Sequence, residues 1–412
     1  MKQQLLDILK GLKKIEAAEY LVLVILVTVS VWDWSIAVKL FFLLVAVVAV
    51  HIISTKHLGN PALTKPMRWA LFLMAGFYLW QGITLLWVDD LPSGCNYMLK
   101  RLPLLLLPVM LLCNDTSYIT HPRRRGILYA LTASLLVKFF YCLIKTLASG
   151  KGFHLDIFTN DTHHTYLSLY LLVVLGFLYS EWVNHRETMH RYHKIAIPCI
   201  AAVITTYIVL STSRAGIAGI AIIFVCIVLH QMVRLHNTKV GITIIIGGLA
   251  LGCATYFILP EKSRRITETV KTMHRGDKND VREDIYSNAF HASIDNMPFG
   301  TGIGDGQATL ASYYEKEGHE WPDLNTHNIY FDTLLSLGLP GLLLLLAMFT
   351  LPAVDGYRRR DFELVTLIVM TAFCGLFESI ISRQMGLMFI VPMWYAIASC
   401  VPCPQTGSTD SQ

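Results

Sequence analysis

The side chains most able to do chemistry in this chain are a few arginines and histidines set at the edges of long apolar runs. Asn325 to Leu342, N-T-H-N-I-Y-F-D-T-L-L-S-L-G-L-P-G-L, is where the longest polar segment returns to hydrophobic sequence, and His327 stands on that border. A histidine there can keep one ring nitrogen in water and the other against protein, and an ordinary pKa of about 6.5 suits proton transfer near neutrality. His327 therefore reads as a chemical centre or, alternatively, as a helix-capping histidine at an interface. Arg214 lies in S-T-S-R-A-G, a short turn between two apolar runs, where Ser211, Ser213, Ala215, Gly216 and Gly219 are expected to leave open space around its guanidinium. That planar, permanently charged group grips phosphate through paired hydrogen bonds. His163 and His164 stand in N-D-T-H-H-T-Y at the entry to another apolar run, and Arg101 follows Lys100 at the start of one. Snorkelling at an interface is the default reading of Lys100 and Arg101. Lys138 sits inside an apolar run, where a lysine is functional by default, directed to a cavity or paired with another helix.

Membrane spans must position these residues. Of 412 residues, 54% are hydrophobic and 15% charged, against about 25% charged in an ordinary soluble protein. An all-α integral membrane protein follows, organised as a single polytopic domain over residues 1–412. Runs near 19–32, 35–54, 69–88, 98–114, 126–148, 164–183, 194–211, 214–233, 239–259, 328–351, 362–380 and 384–402 predict about twelve crossings, each needing roughly 20 apolar residues. No cleavable signal peptide is expected, because a basic start (Lys2, Lys10, Lys13, Lys14) leads into the first run without a small-residue cleavage site. Nine cysteines are scattered, mostly inside apolar runs, as small buried hydrophobes. The net charge of +5 comes from basic loops and gives no case for nucleic acid. No metal is expected either: the outward histidines lack a tight ligand spacing such as H-E-x-x-H, and Cys400 and Cys403 have no second pair.

Basic residues collect in alternate connections: the N-terminus, Lys56 with Lys65 and Arg68, Arg123 to Arg125, His185 to Lys194, Arg234 to Lys239, and Arg358 to Arg360. This bias puts them, and both termini, on the cytoplasmic side. The other connections face outward, including a long loop over residues 260–327. That loop opens with a basic, amphipathic piece (Lys262, Arg264, Arg265, Lys271, Arg275). A helix starting near Arg282 is then predicted from the spacing of Ile285, Ala289, Phe290, Ala292 and Ile294, ended by Pro298, Gly300, Gly302 and Gly304. The glycines are not a dinucleotide fingerprint, because no strand precedes them. Ala311 to Leu324 is polar and aromatic, suited to lying over a sugar or along the membrane interface.

Three pieces of this sequence resemble the O-antigen ligase superfamily, which includes lipopolysaccharide O-antigen ligases and Wzy-type polysaccharide polymerases. S-T-S-R-A-G-I-A-G is similar to the family's S-x-S-R-x-x-x-L, with Ala218 in the leucine position. Arg282, Tyr286, Ala289, Ile294, Pro298, Gly300 and Gly302 resemble its loop pattern of arginine, aromatic, then P-x-x-G-x-G, with tyrosine in place of a frequent tryptophan. His327 and Gly338 look like its H-x10-G. The resemblance covers most directly Ser211 to Leu345.

The resemblance implies a GT-C-like membrane enzyme that transfers a glycan from an undecaprenyl-diphosphate carrier to an acceptor hydroxyl, without nucleotide sugar, cofactor or metal. It implies a multi-pass protein of the bacterial inner membrane with its active site on the periplasmic side. Arg214 and Arg282 would hold the diphosphate and His327 would activate the acceptor. His163, His164, Arg101 and Asn328 would contact or orient substrate, and Lys138 could face a cavity for the carrier phosphate. The acceptor is lipid A-core in a ligase and another lipid-linked repeat in a polymerase. A transporter or lipid flippase is the alternative of another class, but it predicts internal repeats and broken spans with ionisable residues near the midplane. No clear repeat is visible.

Overall fold

A computed structural model describes residues 2–56, 58–150, 158–160, 162–211, 213–243, 245–246 and 281–399. The described residues form helices and turns without strands, as a bilayer requires of a segment that must satisfy its own backbone. The helices are α1 (Lys2–Ser30), α2 (Trp34–Thr55), α3 (Lys65–Thr84), α4 (Leu91–Arg101), α5 (Pro103–Cys113), α6 (His121–Ser149), α7 (His164–His185), α8 (Arg191–Leu210), α9 (Arg214–Leu229), α10 (Val281–Asp295), α11 (Gly306–Lys316), α12 (Ile329–Arg359), α13 (Phe362–Cys374) and α14 (Gln384–Ala398). A helical stretch from residue 238 follows α9.

Eight helices among the described residues are long and apolar enough to cross a membrane, α4 and α5 acting together as Leu91–Cys113. Pro103 opens α5 because it has no N–H to continue α4's bonding. That crossing begins earlier than the 98–114 run. The expected span at 19–32 lies within α1, whose apolar part follows Lys13, Lys14, Glu16 and Glu19 and is short for a crossing. α13 and α14 are apolar but end at Cys374 and Ala398, short of the predicted 380 and 402. Most of the 239–259 run lies outside the described residues, as do the basic piece Lys262 to Arg275 and the pair Cys400 and Cys403.

α7 is the central element, buried along most of its length between α8, α9 and α13. α9 approaches it closely. A Cβ on Gly216 would meet Ser168 Oγ at 2.5 Å, and one on Gly219 would meet Leu172 Cδ1 at 2.4 Å. Gly216 and Gly219 thus admit α7 side chains, while Ala215 lies beside Arg214 on the wall of an open space. At the end of the bundle where α7 and α12 finish, Arg124 pairs with Asp361 and Glu363, both at 2.5 Å, and Arg125 with Glu181 at 2.6 Å.

α12 is broken at Gly338, with φ 67° and ψ −164°, a region essentially reserved for glycine. Pro340 has no N–H for the Ser336 carbonyl, so that carbonyl needs another donor. The turn after α10 supplies it. Gly302 N donates to Ser336 O at 2.9 Å and Thr301 N to Leu335 O at 2.9 Å, while Leu339 N donates back to Pro298 O at 2.8 Å. The approach is backbone to backbone, since a Cβ on Gly300 would lie 2.6 Å from Gly338 N. α10 and α11 then bury Ile285, Ala289, Ala292, Leu310 and Tyr314 with Leu335 in a small separate core. The predicted helix after Arg282 is present, but Phe290 and Ile294 are exposed.

Candidate functional site

His327 is placed by the residues on either side of it. Asn325 Oδ1 accepts its N–H at 3.0 Å, and its backbone takes the left-handed φ of 45°. Asn328 caps α12, its Oδ1 accepting from Tyr330 N at 2.9 Å and Phe331 N at 3.2 Å. Ile329 N donates to Gly375 O at 2.8 Å, and the Thr326 and Ser379 hydroxyls lie 3.2 Å apart. The segment is therefore docked on the connection between α13 and α14. Asn328 is the cap of α12, and it lines neither of the two cavities described next.

Glu378 lies in that connection, 2% exposed, with Oε2 3.2 Å from His327 Nδ1. Its Oε2 is also 3.7 Å from His163 Nε2, and its Oε1 is 3.8 Å from Arg383 Nε. Burial pushes this carboxyl up, but the His327 hydrogen bond and the charges of His327, His163 and Arg383 outweigh it and hold it below the usual value. A carboxylate on Nδ1 fixes the tautomer and makes Nε2 the basic nitrogen. Burial pushes His163 the other way, below an ordinary histidine.

His327, Arg214, Arg282 and His164 line one cavity of about 420 Å³. Four elements deliver them. Ser213 caps α9 by accepting from Gly216 N at 3.0 Å, which sets Arg214 as the helix's first residue. Arg282 lies in the first turn of α10, His164 opens α7, and His327 precedes α12. No carboxylate is among the described residues of this wall, and paired guanidiniums are groups that can hold an anion.

Arg101 and His163 line a second cavity, of about 540 Å³. The His163 ring stacks on His164, centroids 4.3 Å apart, between the two spaces. Arg101 does not snorkel. It is 3% exposed and donates to Asp332 Oδ2 at 3.1 Å, Gln81 Oε1 at 3.2 Å and Ser382 Oγ at 2.6 Å. Lys138 lines neither cavity. Its Nζ donates to Val31 O and Thr162 Oγ1, both at 2.5 Å, and lies 5.7 Å from the Trp32 ring centre. It ties the residue after α1 to the segment before α7.

Sequence reading missed Glu378, which it had placed inside a span ending at 380. The available signal was an acidic residue within an apolar run, which marks a functional position in the same way as an intramembrane lysine.

Fold and site together define a polytopic helical membrane protein with an arginine- and histidine-lined cavity at one end of its helix bundle. Residues 199–346 match the family model described as O-antigen ligase (Wzy_C), and this match supports the O-antigen ligase superfamily for the chain. The matched region contains Arg214, Arg282, His327 and Gly338 but ends before Glu378. No curated protein matches the sequence.

Proposed function

We propose that the protein is an O-antigen ligase-like glycosyltransferase that moves a glycan from an undecaprenyl-diphosphate carrier to an acceptor hydroxyl, with lipid A-core as the acceptor. The observation that carries this reading is the convergence of Arg214, Arg282 and His327 on one cavity. In the reaction His327 Nε2 takes the proton of the acceptor hydroxyl. The acceptor oxygen bonds to the anomeric carbon as the bond from that carbon to the diphosphate oxygen breaks. The bonding pair leaves on the diphosphate, whose growing charge Arg214 and Arg282 stabilise. Glu378 holds the imidazole and balances its charge once protonated. The two guanidiniums supply the positive charge, so the step is written without a metal ion.

The basic clusters at Arg123 to Arg125 and Arg358 to Arg360 belong to helix ends opposite those carrying the site. By the positive-inside bias the cavity faces the periplasm, both termini are cytoplasmic, and the chain crosses about twelve times. Reconstitution with an undecaprenyl-diphosphate glycan and two acceptors, lipid A-core and a second lipid-linked repeat, tests the reading. Extension of lipid A-core is expected. Extension of the repeat alone identifies a polymerase, and no transfer to either acceptor removes the proposed function.

A further inference from the structure

The described walls of the two cavities differ in their ionisable residues. Beside Arg214 and Arg282 the described wall of the first has no carboxylate, whereas the second sets Lys100, Arg101 and Arg383 against Asp323 and Asp332. Arg101 is already paired with Asp332, and Arg383 lies 3.8 Å from Glu378. The second space is therefore close to neutral, with donors and acceptors interleaved and aromatic faces from Trp34 and Tyr97. Such a wall suits a polyhydroxyl ligand better than a bare phosphate.

Three buried polar atoms on residues lining it have no hydrogen-bond partner among the described residues: Arg101 Nε, His163 Nδ1 and Tyr166 Oη. Arg101 is 3% exposed and Tyr166 2% exposed. Unpaired buried groups of this kind are costly, and a ligand that bonds them on entry recovers that cost. The wall between the cavities is also telling. Asn325 and Thr326 face the second cavity, while Leu324 and His327 face the first. The second cavity thus adjoins the His327 segment, and an acceptor whose sugar is seated there reaches past Asn325 and Thr326 to bring a hydroxyl to His327 in the first cavity.

We infer that the second cavity is a saccharide site that seats the sugar of the acceptor, with Tyr166 Oη and Arg101 Nε as hydrogen-bond donors to its oxygens. This rests on the transferase reading for the ligand's role, whereas the binding of a sugar there is tested separately. The full chain in lipid nanodiscs is titrated with lipid A-core and, in a second arm, with undecaprenyl diphosphate. Tyr166→Phe removes only the hydroxyl and is expected to weaken lipid A-core binding about tenfold, leaving undecaprenyl diphosphate unchanged. Trp34→Ala, at a partly exposed position on the wall, should act in the same direction. Arg282→Lys should do the reverse. The inference is overturned if the wild type does not bind lipid A-core, if Tyr166→Phe leaves that affinity intact, or if it weakens undecaprenyl diphosphate equally. Lipid A-core binding that depends on Tyr166, together with diphosphate binding indifferent to Arg282, would retain the saccharide site and reject the proposed donor site.

Discussion

Glu378 Oε2 stands 3.2 Å from His327 Nδ1, joining residues 51 apart in the chain. The carboxylate is 2% exposed while the imidazole reaches the cavity, the arrangement expected if Glu378 orients the proposed base. Glu378→Gln keeps the shape but lets the amide offer a proton where the carboxylate only accepts one. Glycan transfer is expected to fall by about 10²-fold or more, the lower bound of a general base's contribution. Initial rates at saturating donor and acceptor, with detergent melting curves as the folding control, give the measurement. A rate within twofold of wild type would mean that Glu378 does not set the tautomer of His327.

The same carboxyl makes stability depend on pH. Its folded pKa is lowered from an ordinary 4.5, so the unfolded chain binds its proton first on acidification. The stabilisation is complete above that ordinary value and is lost as pH falls through the folded one. Wild-type protein should exceed Glu378→Gln in melting temperature at pH 7, with the gap closing below pH 4.5. A gap that widened on acidification would contradict the sign.

His327 can be separated from its backbone role. Its φ of 45° suits asparagine better than alanine. Both His327→Asn and His327→Ala should lose transfer by about 10²- to 10⁴-fold and some stability with the Glu378 contact, the asparagine variant losing less because it keeps the backbone conformation. Normal transfer by either variant removes His327 as the base.

How much of this was legible follows from what each signal depends on. Arg214 and His327 could be found because each stands at the edge of an apolar run, and Arg282 because it opens the loop pattern that carries the resemblance; one cavity does unite the three. Arg101 was legible as a cation but not as a buried one, because its partners Gln81, Asp332 and Ser382 come from three distant segments. Asn328 was noticed only as a neighbour of His327, although its spacing from Tyr330 and Phe331 is that of a helix cap. Eight of the twelve expected runs coincide with helices long and apolar enough to cross a membrane, but the break between α4 and α5 depends on proline chemistry. α1's extent depends on helical propensity running on through charged residues.

Arg214 and Arg282 offer a test of geometry against charge. Lysine keeps the charge but loses the planar fork that grips two oxygens at once. Each Arg→Lys variant should lower transfer by about 10- to 10²-fold, as loss of one or two charge-assisted hydrogen bonds would, with melting unchanged at the exposed Arg214. Retention of full activity by both lysine variants would show that charge alone suffices there.

The contact between the turn after α10 and α12 predicts that Gly338 tolerates no side chain. A Cβ there would lie 2.1 Å from Pro298 O, and its backbone conformation alone costs a non-glycine residue about 1–3 kcal/mol. Gly338→Ala should lower both the yield of folded protein and transfer, because α10 carries Arg282 and α12 follows His327. Gly76→Ala is the control, since its Cβ would meet only Leu344 Cδ2 at 3.9 Å. Equal melting of the two variants would place the turn's docking outside the folded core.

The buried Arg101 distinguishes a structural pair from an interfacial anchor. Were it snorkelling, Arg101→Met would be nearly neutral. Paired with Asp332 at 3.1 Å and 3% exposed itself, it should cost stability when removed, because Asp332 loses its counter-charge. Breaking one side of a buried pair costs about 3–5 kcal/mol, and the partial exposure of Asp332, 22% by side chain, places this pair toward the lower end. Arg101→Met with Asp332→Leu removes both charges and should recover part of the loss, since two apolar groups leave no charge to desolvate. A double-mutant cycle on melting in a fixed detergent reads the difference. Additive losses in the double variant would mean that the two side chains do not stabilise one another, and that Arg101 is held by Gln81 and Ser382 alone.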